Sequence, residues 1–312
     1  MAGWQILTRV TGGFLVLVTL AGCGPQAAPR AAPDASPSDT RAIEKGDQYV
    51  AIGDSYTGAP RTGPADDACK QSTTNYPHRV AAKLGLKLRD VSCGGARTSN
   101  ATTSQTLGSA RRPPQLRALS RGTDLVTVSL GGTDFSVLPF VGYFCTALRS
   151  QDPNGAPCQE ADTAPGHDTF DHKLSVVERR LVAVLEQVAK RAPRARVLVV
   201  SYPEVFPAKA EFCPQLPLAH GDYAFAHRLN ERLVRAQKRA AAQAHVGYVD
   251  VFTASKGHDM CAQDPWIAGL RPERSDAAPL HPYPEEQKLV ADLLVKEITG
   301  AASPKREQPA DH

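Results

Sequence analysis

Three features of the sequence predict an α/β fold, a three-layer α/β/α sandwich with a central five-stranded parallel sheet. Strand-like and helix-like segments alternate along the body of the chain, the order that builds a parallel sheet covered by helices on both faces. Segments such as Leu125 to Leu130 are largely apolar and β-branched, as strands buried on both faces are. Candidate reactive residues stand directly after such runs, where open α/β sheets place their ligands. With 312 residues and 42% apolar content, the chain can bury a full core as one domain with tails.

The chain opens on an expected export signal, residues 1–22. Arg9 precedes the mostly apolar Val10 to Leu20, a run too short to span a bilayer comfortably. Its end, Leu20-Ala21-Gly22-Cys23, resembles the lipobox of bacterial lipoproteins, which implies a diacylglycerol on the Cys23 thiol and cleavage just before it. Residues 23–47, rich in Pro, Ala and Ser, cannot bury enough apolar surface to fold and read as a tether. Residues 48–300 are the expected folded domain, and the polar residues 301–312 a disordered tail.

Net charge is +4, and losing the leader removes only Arg9 and leaves +3. The basic residues are dispersed among acids, which gives no nucleic-acid footprint. Seven cysteines are present; beyond Cys23 they are Cys69, Cys93, Cys145, Cys158, Cys213 and Cys261. An even number in an exported chain suggests three disulfides, with fifteen pairings open and nearest neighbours the economical choice. No C-x-x-C occurs, and the spacings do not resemble a zinc site.

Along the domain, Tyr49 to Ile52 reads as the first strand and ends in Gly53-Asp54-Ser55-Tyr56. A helix over Tyr76 to Leu84 and strands near Leu88 to Ser92 and Leu125 to Leu130 follow. From Asp171 to Arg191, Leu174, Val177, Leu181, Val184, Leu185 and Val188 recur at helical spacing, and Pro193 closes that helix before a strand over Arg196 to Val200. A helix from Asp222 to Ala244 feeds a strand over Gly247 to Val251, and a last helix starts near Pro284, a good first-turn residue. Three long irregular stretches, Phe135 to Thr169, Pro203 to His220 and Phe252 to Tyr283, are expected to wall a cleft.

Ser55 is the candidate nucleophile, and a serine hydroxyl needs a base and oxyanion donors to act as one. Three further stretches, each at a strand end or before the last helix, are candidates to supply them. Cys93-Gly94-Gly95-Ala96 follows the second strand, where paired glycines can aim a backbone N–H into a crevice. Gly131-Gly132-Thr133-Asp134 follows the third strand, and His281 sits in Leu280-His281-Pro282 before the last helix. These four blocks, in this order, resemble the SGNH hydrolases, the GDSL lipases and esterases, over about Asp47 to Gly300. The six-cysteine spacing is similar to the secreted actinobacterial branch, which pairs its cysteines consecutively.

The resemblance implies a flavodoxin-like parallel sheet and hydrolysis of carboxylic esters through an acyl-enzyme, with Ser55 as nucleophile, His281 as base and no metal or organic cofactor. It implies an oxyanion hole from the N–H groups of Ser55 and Gly95, with Thr133 where the family carries an Asn donor. The family's orienting Asp, three residues before the histidine, is replaced by Ala278. In the branch this resembles, the backbone carbonyl at that position accepts the imidazole Nδ1–H, which here names Ala278 and a Ser-His dyad. Asp276 is close in sequence but wrongly spaced, Asp54 is expected to hold the Ser55 turn, and His258-Asp259 and His167-Asp168 read as loop pairs. The expected protein is a monomeric, membrane-tethered, extracytoplasmic esterase or lipase acting on lipids or acylated glycans. Acyl transfer from the same site and a catalytically degenerate binding lipoprotein are the alternatives.

Overall fold

A computed structural model describes residues 42–65, 68–166, 169–209 and 212–300. The export signal, Cys23, nearly all of the tether, the tail 301–312 and the His167-Asp168 pair lie outside the described residues. The described residues form one compact unit.

Its elements are β1 (Gln48–Gly53), α1 (Ser55–Gly58), α2 (Tyr76–Leu84), β2 (Lys87–Asp90), a hairpin of β3 (Gln105–Leu107) and β4 (Ala110–Arg112), and β5 (Leu125–Ser129). There follow α3 (Val137–Pro139), a π-helical turn Phe140–Cys145, α4 (Thr146–Leu148), α5 (Pro157–Thr163) and α6 (Phe170–Arg191). The chain ends with β6 (Arg196–Val200), α7 (Asp222–Gln243), β7 (Gly247–Val249), α8 (Val251–Ala254) and α9 (Pro284–Gly300). Five of the strands form one parallel sheet in the order β2-β1-β5-β6-β7. Chain direction across the sheet reverses at β1, so the crevice beyond the carboxyl ends of β1 and β5 is the topological switch point.

The two-residue period of a strand decides what covers each face. Val50, Ile52, Val126, Val128, Val197 and Val199 share a core with the α6 residues Val177, Leu181 and Leu185 and the α7 residues Leu229 and Leu233. Their strand neighbours Tyr49, Ala51, Leu125, Leu198 and Val200 pack on the other side with Tyr76 and Val80 of α2 and Val290 and Leu294 of α9. Leu181 and Leu185 are each 1% exposed, and burial of such side chains contributes roughly 2 kcal/mol apiece. Local signals set the ends: Asn75 and Thr169 accept the third-residue N–H groups of α2 and α6, and Gly85 closes α2 with φ of 67°.

Differences from expectation come from side chains that reach the backbone. β2 stops at Asp90, whose carboxylate accepts the Ser92 N–H and turns the chain, and β7 stops at Val249 because Asp250 caps α8. The stretch Phe135 to Thr169 is largely helical. The α5 start is capped from far away, by Asp222 Oδ1 and Oδ2 accepting the Gln159 and Cys158 N–H groups at 3.0 Å each. Disulfides join Cys69 to Cys93, Cys145 to Cys158 and Cys213 to Cys261.

Candidate active site

Ser55 stands two residues past the end of β1, at the switch point. Gly53 permits the turn, since a Cβ there would come within 2.1 Å of Thr57 Oγ1. The Gln115 amide grips Gly53 from both sides, accepting its N–H at 3.0 Å and donating to its carbonyl at 2.9 Å. Asp54 caps α1 by accepting the Tyr56 N–H at 2.9 Å. Burial pushes the Asp54 carboxyl up to about 7, against the pull of hydrogen bonds from Tyr202 and the Tyr56 N–H. The half-buried Ser55 has no hydrogen-bond partner for Oγ among the described residues, and its N–H precedes the first bonded turn of α1.

The loop after β2 stands beside it. Gly95 has φ of 73°, a region that favours glycine, and no atom lies within 3.9 Å of where its Cβ would sit. Gly94 N–H donates to Cys69 O at 3.0 Å and Gln105 Nε2 donates to Gly94 O at 2.8 Å, which fixes the flanking peptide. No acceptor takes the Gly95 N–H among the described residues.

Thr133 follows β5, and its hydroxyl donates to the Ala96 carbonyl. A hydroxyl has one proton, and here that of Thr133, expected as third oxyanion donor, goes to the neighbouring loop. Asp134 fixes the same juncture by accepting from Thr98 N–H at 2.7 Å and Thr98 Oγ1 at 2.6 Å and pairing with Arg180 at 3.2 Å.

His281 reaches the site on a strained turn. Its N–H donates to Ala278 O at 3.1 Å, while Pro279 and Leu280, with φ of 63°, occupy the turn's centre in the pattern of a type II turn. The Ala278 carbonyl thus accepts the backbone N–H that closes the turn. The carbonyl facing Nδ1 is that of Pro279, at 2.7 Å, which corrects the expectation for Ala278. That contact leaves Nε2 as the unprotonated nitrogen of the neutral ring. Burial lowers the His281 pKa below its ordinary 6.5, the Pro279 carbonyl opposes this, and the Lys70 charge adds to it. Tyr56 Oη donates to Leu280 O at 2.8 Å, and Leu280 N–H donates to Ala268 O at 3.1 Å, so the turn is clamped on both sides.

Ser55, Gly95, Thr133 and His281 all line one cleft of about 360 Å³, with Leu107, Leu138, Pro139 and Tyr143 forming apolar walls. A larger cleft of about 880 Å³ lies along the loops joined by Cys213–Cys261 and carries none of these four residues. Asp276 is held by Arg274 at 2.6 Å, and His258 stacks on Trp266 with centroids 3.6 Å apart. No cluster of three metal-ligating side chains occurs among the described residues. Sequence reading missed Gln115, Tyr202 and Pro279. Tyr202 had a signal, its place just past a strand's carboxyl end; Gln115 and Pro279 act through contacts that spacing does not reveal.

Residues 51–289 match the model of the GDSL-like lipase/acylhydrolase family. The chain is 38% identical over 254 residues to Lipase 2 of Streptomyces coelicolor, covering 78% of this chain and 83% of that one. It is 29% identical over 289 residues to an esterase of Streptomyces scabiei, covering 81% and 82%. Among solved structures, the extracellular lipase of Streptomyces rimosus superposes with a TM-score of 0.63 at 24% identity, covering 82% of this chain and all of that one. The phospholipase A1 of Streptomyces albidoflavus gives 0.62 at 23% identity, covering 83% and 100%. These two structures share the fold.

Proposed function

The chain belongs to the GDSL-like lipase/acylhydrolase family and is a carboxylic ester hydrolase, and from that premise we propose that Ser55 and His281 carry the reaction as a dyad. His281 Nε2 takes the Ser55 Oγ proton as Oγ bonds to the ester carbonyl carbon, and the N–H groups of Ser55 and Gly95 receive the negative charge that develops on the carbonyl oxygen. The imidazolium returns the proton to the leaving alcohol as the tetrahedral adduct collapses to the acyl-enzyme. Water then repeats the sequence and releases the acid. The observation that carries this reading is the His281 ring itself: neutral, its tautomer set by Pro279 O, and in one cleft with Ser55. A carbonyl fixes the tautomer as a carboxylate would but stabilises the imidazolium less.

The substrate we favour is an acyl ester of a lipid, which suits the apolar walls of Leu107, Leu138 and Tyr143 and the lipases and phospholipase among its likenesses. The same machinery suits acyl groups of surface glycans and transfer of the acyl group to an acceptor other than water. We place the enzyme outside the cytoplasm, in keeping with its three disulfides, and tethered to a membrane through a lipidated Cys23. Hydrolysis of p-nitrophenyl esters across acyl lengths, beside Ser55→Ala, is the test. Wild-type turnover that vanishes in Ser55→Ala supports the nucleophile, and equal rates for the two remove it. A profile rising with acyl length supports the lipid substrate, and one confined to acetyl esters overturns it.

A further inference from the structure

We propose that Tyr202 is a positioning residue for ester hydrolysis, its phenol locking the Asp54 carboxylate to the Gly132 amide so that the nucleophile turn and the loop after β5 hold one register. The inference rests on the reading of Ser55 as nucleophile. Tyr202 lies two residues past the end of β6, at the carboxyl edge of the sheet, and is fully buried. Its hydroxyl donates to Asp54 Oδ2 at 2.6 Å and accepts the Gly132 N–H at 2.8 Å. One proton and two lone pairs allow both bonds together. The other Asp54 oxygen holds the Tyr56 N–H, so the carboxylate connects the phenol directly to the turn that presents Ser55.

The surroundings are built to fix this side chain. A Cβ on Gly132 would come within 2.8 Å of the Tyr202 ring and 2.9 Å of its oxygen, so the approach needs a glycine there. The Tyr202 ring meets Tyr56 edge-on with centroids 5.2 Å apart. Its N–H donates to Gln237 Oε1 at 3.3 Å, and Gln237 Nε2 donates to Leu130 O at 3.2 Å, which ties the ends of β5 and β6 together behind the ring. A phenylalanine would fill the same volume. The hydroxyl adds only the two hydrogen bonds, and a buried hydroxyl is favourable only when such bonds are made.

Asp54 lines the cleft, and Gly132 directly precedes Thr133, which lines it too. Without the hydroxyl, Asp54 Oδ2 and the Gly132 N–H lose the hydrogen bonds that orient them, and the Ser55 turn loses a fixed cap. Oxyanion donors act on charge that is present only in the transition state, so displacement of the Ser55 N–H lowers kcat and leaves substrate binding in place.

The test is Tyr202→Phe in the full chain, assayed on a soluble p-nitrophenyl ester. The expected result is kcat lower by about 10- to 100-fold, as misplacement of a catalytic group costs, with KM within about twofold of wild type. Affinity for a boronic acid that mimics the tetrahedral adduct is expected to fall by the same factor as kcat/KM. Asp54→Asn removes the carboxylate and keeps the phenol; the double variant is expected to be no slower than the slower single variant, because the two groups act as one unit. Unchanged kcat in Tyr202→Phe, or single effects that multiply in the double variant, overturns the proposal. If Tyr202→Phe loses its near-UV circular dichroism, Asp54→Asn alone decides: lowered kcat at constant KM supports the lock and wild-type kcat overturns it. Ser55→Ala separates the two readings, since its inactivity beside a fully active Tyr202→Phe removes only the role of Tyr202.

Discussion

Thr133 lines the cleft, and its short hydroxyl is given to Ala96 O. Removing it therefore takes little from the transition state. Thr133→Ala is expected to keep kcat within about tenfold of wild type, whereas loss of a working oxyanion donor costs roughly 10²- to 10³-fold. Steady-state kinetics on one soluble ester decide between them. His281 allows a second check at this scale. Burial disfavours its charged form, so the imidazole stays neutral to lower pH than an exposed histidine, and the midpoint of its Cε1–H shift in NMR is expected below 6.5. A midpoint at or above 6.5 would contradict the desolvated base. Ser55, Gly95 and His281 were legible from their positions after strands and before the last helix. The bonding of Thr133 and the identity of the carbonyl behind His281 were not, because one turn residue with positive φ decides which oxygen faces the ring.

Two of the disulfides differ in what they fasten. Cys69–Cys93 joins the loop beyond α1 to the loop carrying Gly95, and the Gly94 N–H bond to Cys69 O runs beside it. Cys213–Cys261, across 48 residues, joins two loops that line the larger cleft. Loop entropy ranks the second as the greater stabiliser, about 4 kcal/mol against about 3.5 for the first, whose separation is 24 residues. Activity is expected to rank them the other way. Cys69→Ser/Cys93→Ser should lose more kcat at a temperature where both double variants remain folded, and chemical denaturation beside kinetics reads both orders. Helices and strands of the sheet were legible because each repeats a packing face. The α5 cap was not, since Asp222 lies far along the chain from the N–H groups that it satisfies.

At the scale of the molecule, two buried carboxyls with no ion pair among the described residues contribute to the response of stability to pH. Burial raises Glu286 in the first turn of α9 from 4.5 to about 8, while its hydrogen bond from Gln287 opposes the shift; burial likewise holds Asp54 at about 7. A carboxyl with a raised folded-state pKa binds more protons folded than unfolded, so stability falls as pH rises from about 4.5 towards 8. Glu286→Gln is expected to flatten that slope and to raise the melting temperature at pH above 8 relative to wild type, as read by thermal scans across pH. An unchanged slope would show that Glu286 does not titrate in this window. By itself the sequence determined the α/β class, the order of the five sheet strands along the chain and the positions of Ser55, Gly95 and His281, because strand and helix periodicity and turn chemistry are local. Only the tertiary structure decided the lateral order of the strands, the Pro279 carbonyl behind His281, the bond that occupies Thr133, and the Tyr202 link between Asp54 and Gly132. These depend on groups distant in sequence meeting at the edge of one sheet, and hydrogen bonds made across that distance leave no periodic trace along the chain.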